Sequence, residues 1–324
     1  MTTRFGYTLM TEQSGPRELV RYAGLAEEAG FDLEVMSDHY FPWLEEQGHA
    51  GYAWSMLGAV SQVTSQVDLM TYVTCPIMRY HPAVVAQKAA TMGILSDGRF
   101  TLGLGAGENL NEHVVGRGWP PVNVRHEMLA EAVEIIDALL DGGDVSWSGQ
   151  HFRVDSARLW DLPEQRVPIA CAVSGRQSVE TLAPRSQAMV AVEPDASLVQ
   201  MWDDVKGGTT RKVGQLPVAW GRSKDEAVER AHREFRWFGG GWKVNAELPG
   251  PAGFDGATQF VRPEDVAASI PCGPDVGAIV EAVRPFWEAG FTDVALVQIG
   301  DETQEEFLKV ARAELLPALR EAAG

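Results

Sequence analysis

Asp38, His39 and Trp43 fall within one seven-residue run, Ser37-Asp38-His39-Tyr40-Phe41-Pro42-Trp43. Histidine exchanges a proton near neutral pH, a neighbouring carboxylate can orient it, and an indole offers a flat apolar wall. The same run also reads as a turn capped by Asp38 with a solvated imidazole. A second group is Glu108, which stands between Gly103-Leu104-Gly105-Ala106-Gly107 and the amides Asn109 and Asn111. Glycines there either let a bound molecule approach the backbone or ease the chain out of a strand. The G-x-G-x-G alternation is not the G-x-G-x-x-G dinucleotide fingerprint. A third group is Ser174-Gly175-Arg176-Gln177-Ser178. Amides opening a helix there either face an anion such as phosphate or are closed by a cap. Ser174 lacks the G-x-S-x-G surroundings of a hydrolase nucleophile. Cys75, next to Pro76, has no base tied to it and reads as a packing residue. His49, His81, His113, His126, His151 and His232 lack metal-ligand spacing, so no metal is expected.

These groups need a scaffold. Strand-like apolar runs lie at 4–10, 31–39, 67–76, 99–107, 168–173, 188–193, 213–220 and 293–299. Helical patterns lie at 16–30, 54–64, 82–95, 124–141, 175–186, 196–206, 223–238, 274–289 and 302–322. Strict alternation implies parallel strands joined by helical crossovers, and eight units predict a (β/α)8 TIM barrel. An open doubly wound sheet is the other arrangement. Two insertions interrupt the βα loops: a hairpin at 145–155, and a Gly/Pro-rich stretch without periodicity at 239–262. With no linker between halves, residues 1–324 read as one domain. In such a barrel chemistry belongs at the C-terminal ends of the strands. The three groups above follow strands two, four and five. Glu193-Pro194-Asp195 follows strand six as negative charge at the mouth, and Gln298 and Asp301 follow strand eight. Among ten tryptophans, Trp43, Trp220, Trp237 and Trp242 fall near mouths or insertions, whereas Trp147, Trp160, Trp202 and Trp287 read as packing residues.

The 324 residues carry 27 Lys+Arg against 45 Asp+Glu, a net charge of −18 that repels nucleic-acid phosphate. A hydrophobic fraction of 45% suits a folded globular chain rather than a disordered one. No run of 18 apolar residues predicts a membrane span, and the N-terminal MTTRFGYTLM lacks the apolar core of a secretory signal. Three cysteines about a hundred residues apart form no disulfide framework, so a cytoplasmic location is expected.

SDHYFPW at 37–43, CPIMRYHPAVVAQKAATMGILSDGRFTLGLGAGENLNEH at 75–113 and the closing CGPDV…FWEAGFTDVALVQIG resemble the luciferase-like superfamily. More closely, they resemble its branch that uses the deazaflavin coenzyme F420, near the glucose-6-phosphate dehydrogenase-like oxidoreductases. The resemblance implies a (β/α)8 barrel, a homodimer built through first-half helices, and hydride transfer with F420 to or from a small-molecule substrate. It implies His39, Trp43 and Glu108 as catalytic residues. It implies coenzyme contacts at Asp38, Tyr72, Val73, Cys75, Ala106, Gly107, Asn111, Ser174, Gly175, Gln177 and Ser178, with a non-prolyl cis peptide at Tyr72-Val73.

Departures bear on the substrate. Where sugar-phosphate dehydrogenases of this branch carry basic residues, this sequence has Ala196 and Ala267, with Glu193 at another polar place. Lys243 is the remaining basic match. The Glu193 carboxylate would repel a phosphate dianion, so Glu193 and Lys243 mark a substrate site unsuited to glucose 6-phosphate. Pro184-Arg185-Ser186-Gln187-Ala188 also replaces the usual glycine-rich turn before strand six. An FMN-dependent monooxygenase of the same superfamily, or a barrel that binds a flavin without turnover, are the alternatives.

Overall fold

The eight apolar runs form eight strands: β1 (Arg4–Leu9), β2 (Leu33–Met36), β3 (Asp68–Thr71), β4 (Phe100–Leu104), β5 (Ile169–Ala172), β6 (Ala188–Val190), β7 (Arg211–Trp220) and β8 (Asp293–Gln298). They are seen in a computed structural model that describes residues 3–324. Each strand pairs in parallel with the next, and β8 pairs back with β1, so the sheet closes as a (β/α)8 barrel. The period of two explains how both faces are filled. Leu33, Val35, Met70, Ala170, Ala188, Val190, Val213 and Ala295 meet inside the barrel. Phe5, Tyr7, Leu9, Met36 and Leu69 belong to the larger cluster under the surrounding helices.

The strand starts are tied together by charge. Arg4 pairs with Asp68 at 2.7 Å and Arg211 with Asp293 at 2.8 Å; Arg211–Asp68 at 3.5 Å and Arg4–Asp293 at 3.6 Å close the ring. This network links β1, β3, β7 and β8 at the end opposite the mouth, where polar groups serve stability rather than chemistry.

The hairpin before β5 is present, with Val145–Ser148 antiparallel to Arg153–Ala157. The structure differs from expectation at three places. The stretch 239–262 is largely helical, with turns at Trp242–Asn245 and Pro251–Thr258 followed by Pro263–Ala267. Pro251 and Pro263 each open a helix where the missing N–H costs nothing, and fully buried Phe254 anchors the middle one. Each helix is too short for a 3.6-residue period to show in the sequence. The third strand ends at Thr71 rather than 76; the Tyr72–Val73 peptide that follows is cis, and Thr74 keeps only an isolated bridge to Leu104. Trp160, expected as a packing residue, is 82% exposed and covered on one side by the Arg158 guanidinium. Trp202 is fully buried and Trp147 and Trp287 are half-buried, as expected. Among the described residues, no helix is long and apolar enough to cross a membrane.

Candidate active site

His39 leaves the end of β2 and is nearly buried. Its Nδ1 lies 3.2 Å from the Phe41 carbonyl and 3.2 Å from Oε1 of Glu12. Glu12 comes from the loop after β1 and is 1% exposed; its other oxygen accepts hydrogen bonds from Ser37 and Thr11. The Phe41 carbonyl can only accept, so it calls for a proton on Nδ1; the Glu12 carboxylate beside it favours the same tautomer, which leaves Nε2 as the working nitrogen. Among the described residues Nε2 has no hydrogen-bond partner, and it is not sealed from solvent. The Trp43 indole packs 4.9 Å from the imidazole. Trp43 in turn stacks on Trp237 at 4.1 Å and 10°, with Phe254 edge-on at 5.1 Å. The segment after β7 therefore supplies part of the aromatic wall, Trp237 from the turn Arg236–Gly240 and Phe254 from the insertion, and Met10, Leu44, Leu110 and Val297 belong to the same cluster.

Glu108 stands at the end of the β4 loop, half-buried, at the start of a short helix, Asn109–Glu112. Asn111 links it to the histidine loop. Asn111 Nδ2 donates to Glu108 at 3.0 Å, while Asn111 Oδ1 accepts from the Tyr40 and Phe41 amides at 2.8 and 3.3 Å. Asp38 is turned inward: its carboxylate accepts from Trp54 Nε1, Thr74 Oγ1 and Tyr80 OH, and Arg79 lies 3.3 Å away. Glu112 is fully buried and accepts from the Arg79 amide at 2.8 Å. Burial pushes its carboxyl up to about 7, more strongly than the Arg79 guanidinium and amide pull it down, and the charges of Glu108 and Asp38 add to the rise.

A carboxyl raised from 4.5 to about 7 makes the folded state bind a proton that the unfolded chain releases. The associated stability is complete below the unfolded value and is lost as pH rises through 7; its size is about 3 kcal/mol as an order of magnitude. We expect Glu112→Gln to flatten the decline of melting temperature between pH 4.5 and 7.5. Parallel curves for the two proteins would contradict this assignment.

Tyr72, Val73 and Ala172, half-buried at the ends of β3 and β5, pack on the barrel's interior cluster. Gly107 lies above Cys75: φ is 76°, and a Cβ there would sit 2.4 Å from the thiol sulfur. Cys75 is buried, and burial pushes its thiol up, so it is a packing residue and not a nucleophile. Ala106 and Gly107 are half-buried at the rim. At the β5 end, Ser178 Oγ accepts from the Ser174 and Gly175 amides at 3.1 and 3.3 Å, which closes two of the donors expected to face an anion. Ser174 and Gln177 are exposed beside them. Glu193 and Lys243 are both exposed, and no hydrogen bond or ion pair among the described residues joins them. Asp195, expected as negative charge at the mouth, is exposed and also caps the helix Ala196–Lys206 through the Ser197 and Leu198 amides.

This architecture and site have counterparts among known proteins. The family model for luciferase-like monooxygenases matches residues 1–293. The chain belongs to that family. It is 33% identical over 333 residues to the F420-dependent glucose-6-phosphate dehydrogenase of Microbacterium testaceum, covering 98% of this chain and 97% of that one. It is 33% identical over 323 residues to the F420-dependent hydroxymycolic acid dehydrogenase of Mycobacterium tuberculosis, covering 97% and 88%. A solved F420-dependent secondary alcohol dehydrogenase, in complex with an F420-acetone adduct, superposes with a TM-score of 0.88 at 27% identity over 98% of this chain and 99% of that one.

Within this luciferase-like barrel the structure brings together His39, Trp43, Asn111 and Glu108, which the sequence had singled out separately. It adds Glu12, Arg79 and Glu112. Glu12 follows β1 at a strand end, the position that signals chemistry, yet Thr11-Glu12-Gln13-Ser14 reads as an ordinary polar loop. Arg79 and Glu112 carry no local signal, because they meet across 33 residues of chain.

Proposed function

We propose that this luciferase-like chain, a single barrel domain over 1–324, is an F420-dependent oxidoreductase that moves a hydride between the coenzyme and a neutral, apolar small molecule. The observation that carries the reading is the buried Glu12–His39 pair, with Nε2 unpartnered, beside the stacked Trp43–Trp237 wall. Tyr72, Val73 and Ala172 would line the ring's face, with Ala106 and Gly107 beside it and Ser174, Gly175 and Gln177 toward its phosphate arm; the buried Asp38, Cys75, Asn111 and Ser178 would shape this shell from behind. Bound there, the deazaflavin supplies the hydride donor or acceptor. His39 Nε2 takes the hydroxyl proton of an alcohol, or returns one to a carbonyl, and Glu12 steadies the resulting imidazolium. Glu108, held by Asn111, is the second acid–base group. The indole pair and Phe254 keep water from the reacting carbon.

The neutral-substrate reading rests on Glu193, Ala196 and Ala267 standing where basic side chains would be needed, with Lys243 exposed on the insertion. We expect 2-propanol or cyclohexanol to reduce F420 with the purified protein, read as loss of the coenzyme's visible absorbance. Glucose 6-phosphate should not do so at millimolar concentration. Saturable turnover of glucose 6-phosphate at micromolar concentration would overturn the substrate assignment and leave the coenzyme assignment intact.

The proposal includes a homodimer working in a reducing, cytoplasmic compartment. Helices Ala53–Val63 and Pro82–Leu95 leave Val63, Val84, Ile94 and Leu95 between 42% and 50% exposed, an apolar face that a second copy would cover. All three cysteines are free thiols. Sedimentation at twice 35.3 kDa fits this state, and sedimentation at 35.3 kDa rejects it.

A further inference from the structure

His39 is bracketed. The residue before it and the two residues after it are each tied to the short helix that follows Glu108. On the far side, the Tyr40 and Phe41 amides bind Asn111 Oδ1, whose amide group also holds Glu108. On the near side, Arg79 Nη2 donates to the Asp38 carbonyl at 2.5 Å and lies 3.3 Å from the Asp38 carboxylate. The Arg79 amide donates to Glu112 at 2.8 Å, and its Nε stands 3.3 Å from the other Glu112 oxygen, an ionic contact rather than an aligned hydrogen bond. The Arg79 side chain is 8% exposed, and those of Asp38 and Glu112 are 0% and 1%. Tyr80 extends the same hub, with its hydroxyl on Asp38 and the Arg79 guanidinium over its ring.

We propose that Arg79 is a positioning residue, resting on the oxidoreductase reading above: it clamps the β2 loop to the β4 loop and so sets the distance between His39 and Glu108. Arg79 acts through its neighbours and touches no reacting atom. Its planar fork reaches the Asp38 carbonyl and Glu112 at once, and the point charge of a lysine cannot hold both in that geometry. Two acid–base groups that serve one substrate need fixed spacing, and a displacement of about 1 Å costs about a hundredfold in rate.

The test is Arg79→Lys, which keeps the charge, with Glu112→Gln as a milder second variant that keeps an acceptor for the Arg79 amide. Amide hydrogen exchange in the unliganded protein is read over 37–44 and 106–112. We expect exchange to rise in both segments together in Arg79→Lys, and less so in Glu112→Gln, with the rest of the barrel unchanged. With F420 and 2-propanol we expect kcat of Arg79→Lys to fall about tenfold to a hundredfold, while KM for 2-propanol stays within about threefold. Unchanged exchange, loosening of one loop alone, or an unchanged kcat would overturn the clamp. A wild-type protein that never reduces F420 would overturn the function assigned above, and the exchange pattern would still decide whether Arg79 couples the two loops.

Discussion

His39→Ala lowers kcat by about 10²- to 10⁴-fold, and the F420 dissociation constant stays within a few-fold of wild type. Among the described residues, the imidazole combines a buried carboxylate beside one nitrogen with an unpartnered second nitrogen. In the proposed reaction, removing it deletes the proton acceptor for the alcohol, and it leaves Glu12 buried with Ser37 and Thr11 as its remaining partners. In the same proposal coenzyme affinity rests on Tyr72, Val73, Ala106 and Gly107, which the substitution does not touch. Stopped-flow turnover with 2-propanol, paired with an equilibrium titration of F420, separates the two quantities. Wild-type turnover in His39→Ala would remove the histidine from the mechanism, and a loss confined to coenzyme binding would make it a binding residue.

Gly103→Ala destabilises the barrel by about 4 kcal/mol or more, the range reserved for severe packing or backbone conflicts. An added Cβ would lie 1.9 Å from the Thr71 carbonyl oxygen and 3.0 Å from Met70 Cε. Neither strand can yield freely. Gly103 N donates to Thr71 Oγ1 at 2.9 Å, Thr71 Oγ1 donates to the Gly103 carbonyl at 2.9 Å, and that carbonyl also accepts from the Thr74 amide at 2.8 Å. The contact lies where β3 hands over to Tyr72–Val73, and five residues ahead of Glu108. Urea unfolding of the purified variant measures the loss. A midpoint indistinguishable from wild type would mean that the two strands relax apart, and the close approach would then have no structural weight.

The barrel was legible because its signal repeats. Eight apolar runs, each followed by a helix-period segment, leave few other topologies, and the rule that chemistry sits at strand C-termini then placed His39, Glu108 and Ser174 at one end. The resemblance carried the roles of Trp43 and Asn111, which spacing alone does not assign. What was hidden has a common cause. Glu12 is polar among polar neighbours in sequence, and only the approach of Ser37 and His39 from β2 makes it a buried partner. Arg79 lies in a run that reads as a loop, and its function depends on Asp38, 41 residues earlier, and Glu112, 33 residues later. Trp237 reads as a residue near a mouth, but its stack on Trp43 joins the turn after a helix to a loop almost two hundred positions away. Ser178 could be read either as a cap or as an anion contact, and the structure uses its hydroxyl for the Ser174 and Gly175 amides.

The central claim, that this luciferase-like barrel is built for the deazaflavin, is tested most directly by titrating the purified protein with F420 and, separately, with FMN, following intrinsic tryptophan fluorescence. Trp43 and Trp237 stack beside the proposed ring site, so binding there should change the signal. Saturation by F420 at micromolar concentration or tighter, with no comparable response to FMN, is the predicted result. Preferential binding of FMN would move the chain to the monooxygenase chemistry of its family, and binding of neither would contradict the assignment of the site as a coenzyme pocket.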